Sequence, residues 1–327
     1  MKIHDNVDFR VLDATIRDGG LVNNFFFTDD FVKELLLANI DIGIDVMEIG
    51  YKSSTKLFET SKYGKWKFCR EEDIYNVFAE NANRIKLAVM ADVGRCDYKQ
   101  DIVPKRNSLI DIIRVASYID DIPEAINMIE DIYSKGYMTA CNIMAISKVE
   151  RNFMKMQLDM LGKSPVKIIY IVDSFGALYG DDLLELIDLF EECATKYNKQ
   201  IGIHVHNNQQ LAFSNTILAC EKGVKWIDAT HNGIGRGAGN CSLQMIVSYL
   251  NRKAGKKYNI LTSTDFINNN YLQFKDIEDN MCHGLQYFLT GYYNIHPQKA
   301  IEFSKGKGDS YTDLYLECIK EYNTIND

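Results

Sequence analysis

Short apolar runs rich in isoleucine and valine alternate with amphipathic stretches along most of the chain. Eight of the runs have the length and weak alternation that are typical of strands buried on both faces. They are Phe9–Ile16, Asp45–Tyr51, Ile85–Asp92, Leu109–Ser117, Met138–Ile146, Val166–Asp173, Ile201–His206 and Trp226–His231. The amphipathic stretches predict helices, among them Asp29–Ile42, Pro123–Lys135, Lys148–Leu161, Asp181–Tyr197 and Gln209–Lys222.

The order of these elements predicts the fold class. Eight βα units in about 250 residues indicate an α/β fold, a (β/α)8 TIM barrel, which we place at residues 1–254. A doubly wound open sheet is the main alternative. It is disfavoured because no Gly-x-Gly-x-x-Gly motif follows the first strand. Thr28, followed by Asp29 and Asp30, is typical of a helix N-cap with acidic residues in the first turn.

The pattern changes near Gly255, after which helical periodicity predominates. Three helices are predicted there, at Thr262–Thr290, Pro297–Phe303 and Tyr311–Tyr322. We therefore expect residues 255–327 to form a helical C-terminal extension. The extension either packs against the barrel or makes oligomer contacts, and its sequence does not distinguish the two.

Composition narrows the functional class. The 327-residue chain is 46% apolar and 25% charged, which is typical of a soluble globular protein. Its net charge of −8 and the absence of a basic cluster argue against a nucleic-acid partner. The longest apolar runs are too short to span a membrane, and Met1–Asp8 lacks a signal-peptide core. The eight cysteines are scattered without a Cys-x-x-Cys pair, so we expect a reduced, cytoplasmic enzyme.

The seventh predicted strand contains two histidines, His204 and His206, separated by one residue. Side chains alternate along a strand, so both imidazoles point to the same face, with Cα atoms roughly 6.6 Å apart. This spacing allows both rings to bind one metal ion. Taken alone, the pair is equally well explained as two structural histidines on a half-buried strand.

Other polar residues fall at the predicted carboxyl ends of strands, where TIM barrels carry their catalytic groups. They are Arg17, Asp18, Glu48, Asp92, Asn142, Asp173 and His231. Strands 1 and 7 are both odd-numbered, so Asp18 can share a layer with His204 and His206. One carboxylate and two imidazoles make a metal site with open positions for substrate. The alternatives are that Asp18 is an N-cap or turn residue and that Arg17 is a structural partner of Glu48.

A glycine-rich loop, Asn232–Asn240, follows the last predicted strand. Its four alternating glycines allow the backbone to approach a ligand closely, and the N-terminus of the next helix favours anions. Tight packing under the strand would explain the glycines nearly as well.

Taken together, the motifs resemble those of the HMG-CoA-lyase-like, or DRE-TIM, metalloenzymes over about residues 8–250. The segment Asp13–Gly20 resembles D-x-T-L-R-D-G, and Glu48 matches the strand-2 glutamate of that family. Asp173-Ser174-Phe-Gly resembles D-T-x-G, His204-Val-His206-Asn resembles H-x-H-N, and Gly233–Asn240 resembles the last loop.

The resemblance implies a divalent metal, Mn²⁺ or Mg²⁺, held by Asp18, His204 and His206, with Asn240 a further ligand in some branches. It also implies that Arg17 stabilises the enolate of a 2-oxo acid and that Glu48 orients Arg17. We add His231 as a catalytic candidate. The substrate-binding candidates are Asp173, Ser174, Gly235 and Gly237.

The last loop indicates the branch of the family. Acyl-CoA-condensing members have G-x-G-E-R-x-G-N there, whereas this chain has Arg236 after Gly235 and lacks that glutamate. Its form is more similar to that of the 4-hydroxy-2-oxovalerate aldolases. The resemblance therefore implies a class II aldolase that converts a 4-hydroxy-2-oxo acid reversibly to pyruvate and an aldehyde. The chain departs from those aldolases at Leu21, where they have a histidine that acts as general base.

The replacement base is unassigned, with His231, Tyr292, Tyr293 and His296 as candidates; His296 could instead cap a helix. Three other functions remain open: a Claisen-type or HMG-CoA-lyase-like enzyme, an amidohydrolase-type metallohydrolase, and a non-catalytic partner subunit. The metallohydrolase is disfavoured because such barrels have their H-x-H motif on strand 1, whereas this chain has it on strand 7. Leu21 favours the partner subunit. By resemblance, we expect a homo-oligomer and an aldehyde dehydrogenase as a possible partner of the C-terminal helices.

Overall fold

The computed structural model describes residues 8–81, 83–278, 284–306 and 310–326, apart from the side chains of 276–278 and 325–326. Eight parallel strands form a closed barrel in which each strand pairs with the next and the eighth pairs with the first. They are β1 Arg10–Asp13, β2 Val46–Tyr51, β3 Lys86–Asp92, β4 Ile112–Ser117, β5 Met138–Ile143, β6 Ile168–Asp173, β7 Gln200–Val205 and β8 Trp226–Ala229. The TIM-barrel prediction is confirmed.

Helices follow the strands and then continue beyond the barrel. Those of the barrel are α1 Thr15–Asn23, α2 Asp29–Ile42, α3 Glu71–Phe78, α4 Tyr98–Asp101, α5 Ile122–Ser134, α6 Arg151–Lys163, α7 Gly180–Tyr197, α8 Ala212–Glu221 and α9 Leu243–Ala254. Those beyond it are α10 Ile260–Asn269, α11 Tyr271–Glu278, α12 Leu285–Tyr292, α13 Gln298–Ser304 and α14 Tyr311–Asn326. The division into domains at residues 254 and 255 stays a prediction. Within the described residues, no helix combines the length and apolar character needed to cross a membrane.

Even-numbered strand residues meet inside the barrel. Leu12, Val46, Ile112 and Tyr170 belong to one apolar cluster there, while odd-numbered neighbours pack outward against the helices. Gly202 makes room for the largest of these side chains, because a Cβ at that position would lie 2.4 Å from the ring of Tyr170. Since side chains alternate along a strand, polar residues at even positions nearer the carboxyl ends also face the interior.

The first strand is shorter than predicted. It ends at Asp13, and residues 15–23 form α1 instead of continuing the strand to Ile16. The Asp13 carboxylate accepts hydrogen bonds from the backbone N–H of Thr15 (3.0 Å) and from the Thr15 hydroxyl. These bonds satisfy donors at the start of the helix, so the chain turns there. The N-cap predicted at Thr28 is confirmed, because its hydroxyl accepts from Phe31 N at 3.2 Å.

The prediction of a single helix at Thr262–Thr290 is wrong. Asn270 separates α10 from α11, with non-helical φ and ψ of −107° and 23°, and its amide donates to Glu34 of α2 at 2.9 Å. Residues 279–283, including Cys282, lie outside the described residues, as do residues 1–7, where no signal-peptide core was expected. The last helix, α14, runs beyond the predicted end at Tyr322 to Asn326.

The C-terminal extension packs against the barrel in two places. Phe266 of α10 contacts Phe31 of α2, with ring centroids 5.5 Å apart. The segment after α12 reaches the carboxyl end of the barrel, where the Ser147 hydroxyl donates to the side-chain oxygen of Asn294 at 2.7 Å. The extension therefore borders the end of the barrel at which the predicted site residues lie.

Candidate active site

The carboxyl end of the barrel contains a small cavity of about 70 Å³. At ~10–15 Å³ for each water-sized group, this space holds about five such groups. The polar residues that line it include Arg17, Asp18, Asn142, His204, His206 and Arg236. A larger surface groove between α6 and α7, about 540 Å³, contains none of these groups.

Asp18, His204 and His206 meet at this cavity. Each offers one ligand atom within 4.8 Å of the others, and all three side chains are buried. Oδ2 of Asp18 lies 3.5 Å from Nε2 of His204 and 3.9 Å from Nε2 of His206. The two imidazole planes are nearly perpendicular, at 85°. Helix α1 brings Asp18 to the pair in its first turn, so α1 and β7 together build the cluster.

The donor set fits a divalent cation. Both carboxylate oxygens of Asp18 are buried and accept no hydrogen bond from any described residue, and the same is true of Oδ1 of Asn240. Nδ2 of Asn240 donates to the Ile234 carbonyl at 3.1 Å, which leaves the amide oxygen as a free acceptor. Buried acceptors without donors cost about 1–3 kcal/mol each. A cation held by oxygen and imidazole ligands would remove that cost.

Behind the cluster, charged side chains alternate in sign. Oε2 of Glu48 accepts from Nε of Arg17 and from Nη1 of Arg114, each at 2.8 Å. Arg114 donates in turn to Asp228, and Oδ2 of Asp228 lies 3.1 Å from Nδ1 of His204. With Asp18, three carboxylates face two guanidinium groups, so the buried network has a net charge of −1 when the histidines are neutral. A divalent cation and a monoanionic substrate would bring the total to zero.

The pKa values follow from these contacts. Burial alone would raise the pKa of Asp18, but Arg17 and the two histidines outweigh it and hold this pKa well below its ordinary value. Burial and Arg17 act to lower the pKa of His204, yet the nearby carboxylates of Asp18 and Asp228 outweigh them and the pKa is raised. Burial holds the pKa of His206 well below its ordinary value. Asp18 and His206 are therefore in the forms that bind a metal, an ionised carboxylate and a neutral imidazole.

The glycine-rich loop contributes differently at its two predicted positions. A Cβ on Gly235 would lie 2.0 Å from Nδ2 of Asn240 and 3.2 Å from Cγ of Asp18, so this glycine packs directly beside the cluster. Gly237, with φ of +67°, faces Tyr287 of α12 instead. The substrate-binding prediction for Gly237 is therefore not supported, because this residue contacts the C-terminal extension.

The structure also gives different environments to Asp173 and Ser174. Asp173 accepts from the backbone N–H groups of Ala177 (3.0 Å) and Leu178 (3.1 Å) and does not line the cavity. Burial raises its pKa to about 6. Its contacts assign it to the loop after β6 and correct the prediction of substrate contact. Ser174 does line the cavity, and its hydroxyl accepts from Ala145 N at 2.9 Å.

The structure corrects the catalytic prediction for His231. This ring is buried outside the cavity, between Asn39 of α2 (3.1 Å) and Ser263 of α10 (3.2 Å), and packs on Phe266. The Asn39 amide donates to Asp13, so its oxygen accepts from Nε2 of His231, and the Ser263 hydroxyl donates to Nδ1. His231 therefore joins barrel and extension and does not face substrate.

The other candidate bases do not line the cavity. Tyr292 is exposed, and Tyr293 packs against Tyr315 and Tyr322 of α14. Nδ1 of His296 accepts from Gln298 N at 3.0 Å, which is the helix-capping alternative. Leu21 lines the cavity at the position where the resemblance expected a histidine.

Several site residues were missed by the sequence analysis, among them Arg114, Asp228 and the cavity-lining pair Tyr51 and Arg236. Arg114 and Asp228 had one detectable signal. Each is a charged residue in an otherwise apolar strand, at a position that faces the barrel interior. Asp92, which was expected at the site, does not line the cavity, and burial raises its pKa.

Comparison with known proteins identified similar sequences and structures. The family description HMGL-like matches residues 8–271. Among curated relatives, 4-hydroxy-2-oxovalerate aldolase 6 of Rhodococcus jostii (strain RHA1) is 26% identical over 264 residues, which cover 79% of this chain and 70% of the relative. Oxaloacetate decarboxylase of Mycobacterium tuberculosis is 25% identical over 244 residues, covering 74% and 70%.

Solved structures show the same fold. The N-terminal domain of a Bacteroides vulgatus protein with an aldolase assignment superposes with a TM-score of 0.76 at 25% identity, covering 91% of this chain and 97% of that one. The HMG-CoA lyase of Brucella melitensis superposes with a TM-score of 0.63 at 16% identity, covering 83% and 100%. The second likeness concerns the fold alone.

Proposed function

The chain belongs to the HMGL-like family and is a carbon–carbon lyase, and on this premise we propose that it is a divalent-metal-dependent aldolase. The reaction interconverts a 4-hydroxy-2-oxo acid with pyruvate and an aldehyde. The observation that carries the proposal is the meeting of Asp18, His204 and His206 beside the guanidinium group of Arg17. A named relative with 70% of its length covered is a 4-hydroxy-2-oxovalerate aldolase.

Asp18, His204 and His206 would hold the cation, with Asn240 as a further oxygen ligand. Manganese or magnesium is expected from the family resemblance, and the oxygen atoms of Asp18 and Asn240 are ligands that suit both ions. When bound, such a cation supplies Lewis-acid polarisation of the substrate carbonyl.

Arg17 is placed to hold negative charge on the substrate. Its Nε is engaged by Glu48 at 2.8 Å, while Nη2 lies 3.4 Å from Nε2 of His204. The guanidinium group is therefore fixed beside the cluster with N–H donors near it. When the bond between C3 and C4 of the substrate breaks, its electron pair forms the enolate of pyruvate. The guanidinium group of Arg17, held in place beside the enolate oxygen, stabilises that charge in the transition state.

Leu21 favours a second candidate, decarboxylation of a 2-oxo dicarboxylic acid. An aldol cleavage needs a base for the 4-hydroxyl proton, and Leu21 offers none. Loss of carbon dioxide yields the same enolate without that base, and one relative is named oxaloacetate decarboxylase. Tyr51 does not replace the base, because burial raises the pKa of this cavity-lining phenol and keeps it protonated.

Exchange of the methyl hydrogens of pyruvate for deuterium tests enolate formation without knowledge of the aldehyde. We expect exchange with Mn²⁺ or Mg²⁺, loss of exchange in EDTA, and loss in Asp18→Ala and His204→Ala. Undetectable exchange in the metal-loaded wild type would contradict the proposal and favour a non-catalytic subunit. A screen of aldehydes with pyruvate, read by mass spectrometry, then separates aldolase from decarboxylase activity on oxaloacetate.

Three further points need their own measurements. Titration with acetyl-CoA tests the Claisen-type alternative, for which binding would be required. Light scattering after size exclusion tests the expected homo-oligomer. Co-purification with an aldehyde dehydrogenase would test the partner proposed for the C-terminal helices.

A further inference from the structure

Arg236 is the residue of the glycine-rich loop that lines the cavity. Its Nη2 donates to the Ser174 carbonyl at 2.9 Å. Its Nε is buried and donates to no described residue. None of the ion pairs among the described residues includes Arg236, although the side chain is only partly exposed. The guanidinium group thus lies at the cavity with unused donors and an uncompensated charge.

Of the other buried cations near the barrel end, Arg17, Arg114 and Lys52 pair with carboxylates, whereas Lys67 lies over the rings of Tyr51 and Phe58. Arg17 and Arg114 share Glu48, and Lys52 pairs with Glu71 at 2.8 Å. Withdrawing a cation from water without a partner is costly. The contrast indicates that the anion for Arg236 is supplied by a ligand.

A second basic residue stands at the same rim. Lys148, after β5, places Nζ 5.1 Å from the ring centroid of Phe175 and forms no ion pair with any residue described. The ring of His296, from the C-terminal extension, contacts the same phenylalanine at 5.7 Å. The nearby carboxylate of Glu321 pairs with Lys299 at 3.2 Å. Burial lowers the pKa of His296 to about 4, so this ring is neutral at pH 7. Arg236 and Lys148, from two separate segments, give the rim its positive character, which attracts anions.

We propose that Arg236 binds an anionic group on the part of the substrate that leaves as the aldehyde. The 2-oxo acid end is accounted for by the metal cluster and Arg17, so the anion held by Arg236 belongs to the opposite end. The substrate class is then a 2-oxo acid with a second negative charge, either a carboxylate or a phosphate. This inference rests on the proposed function and adds the class of substrate to it.

The test compares ligands that differ only in the far charge and that cannot undergo aldol cleavage. The probes are 2-oxoglutarate and its 5-methyl ester, 2-oxoadipate and its 6-methyl ester, and 4-phosphono-2-oxobutanoate. Their affinities for the Mn²⁺-loaded full chain are measured by isothermal titration. We expect at least one dianion to bind about tenfold or more tightly than its ester, as for a charge-assisted hydrogen bond. Carboxylate and phosphonate probes distinguish the two anion sources.

Arg236→Gln should bring the ratio of dianion to ester affinity close to one. Arg252→Gln, an exposed arginine in the last turn of α9, serves as the matched control and should leave the ratio unchanged. A wild type without charge preference would overturn the inference. So would a variant in which both affinities fall equally, because Arg236 would then only fasten the loop to Ser174.

Pyruvate deuterium exchange, measured in parallel, separates the two proposals. Exchange without a charge preference overturns this inference alone. A charge preference that depends on Arg236, but without exchange, overturns the aldolase proposal and leaves the anion site. If neither exchange nor a charge preference is detected, both proposals are overturned.

Discussion

Oδ2 of Asp228 lies 3.1 Å from Nδ1 of His204, so a buried carboxylate on β8 fixes the orientation of an imidazole on β7. Arg114 and His204 outweigh burial and keep the pKa of Asp228 below its ordinary value. The carboxylate is therefore ionised and draws the ring proton to Nδ1, which leaves Nε2 as the ligand atom. Carboxylates behind metal-binding histidines raise the basicity of the ligand.

Asp228→Asn should weaken Mn²⁺ binding about 10- to 100-fold, because the amide keeps the shape but not the charge behind His204. Isothermal titration of the metal-free protein measures the change. Asp45→Asn is the control, since it removes a carboxylate that pairs with Arg10 at 2.9 Å at the other end of the barrel. Circular dichroism checks that the variant, in which Arg114 keeps only Glu48 as an ion-pair partner, still folds. An unchanged metal affinity in a folded variant would show that Asp228 serves Arg114 only.

Arg17→Lys should retain metal but reduce pyruvate deuterium exchange about 10²- to 10³-fold, the usual loss for one transition-state donor. A single ammonium cannot bond to Glu48 and also present donors beside His204, as the planar fork does. Arg10→Lys, at the opposite end of β1, is the matched control. If Arg17→Lys exchanged pyruvate at the wild-type rate, the proposed role of Arg17 would be wrong.

Gly235→Ala should lower Mn²⁺ affinity, because the new methyl group would lie 2.0 Å from Nδ2 of Asn240 and must displace that side chain. We expect a loss of about tenfold or more, as for disturbed groups beside metal ligands. Gly180→Ala adds a methyl group 2.9 Å from the flexible Leu218 side chain, away from the cluster, and serves as control. Metal titration that gives equal affinities for both variants would rule out a role for Asn240 at the cation.

The barrel and the cluster could be predicted from the sequence because both depend on local periodicity. Buried parallel strands read as short apolar runs, and a histidine pair with period two needs only a strand to share one face. The end of β1 could not be predicted, since Leu12–Ile16 continues the apolar pattern. What ends the strand is the bond from Thr15 N to the Asp13 carboxylate, which periodicity does not reveal.

The network behind the cluster was not predicted because it depends on contacts between distant strands. Arg114 and Asp228 are separated by 114 residues and meet only when the barrel closes. His231 shows the reverse error. Its place after β8 resembled that of a catalytic residue, but the side chain of an irregular segment has no fixed face, and its partners on α2 and α10 bind it outside the cavity.

The buried ring of His231 should make stability depend on pH. Burial lowers its pKa to about 3, whereas in the unfolded chain it is about 6.5. Between these values the unfolded chain binds a proton that the folded protein excludes, so this residue costs stability as pH falls below 6.5, by up to about 1.4 kcal/mol per pH unit. His231→Gln removes the titrating group together with two hydrogen bonds.

At pH 8 His231→Gln should be less stable than wild type by about 1–3 kcal/mol, since Asn39 and Ser263 lose a buried partner. This difference should shrink as the pH falls from 7 towards 5, because the wild type then loses stability through protonation of His231 in its unfolded chain, and the variant does not. Urea unfolding at each pH measures both free energies. Ser263→Ala removes one bond to the ring but keeps the imidazole, so its difference from wild type should vary far less with pH. A constant difference for His231→Gln would mean that the folded protein accepts the proton and that the ring is not sealed between α2 and α10.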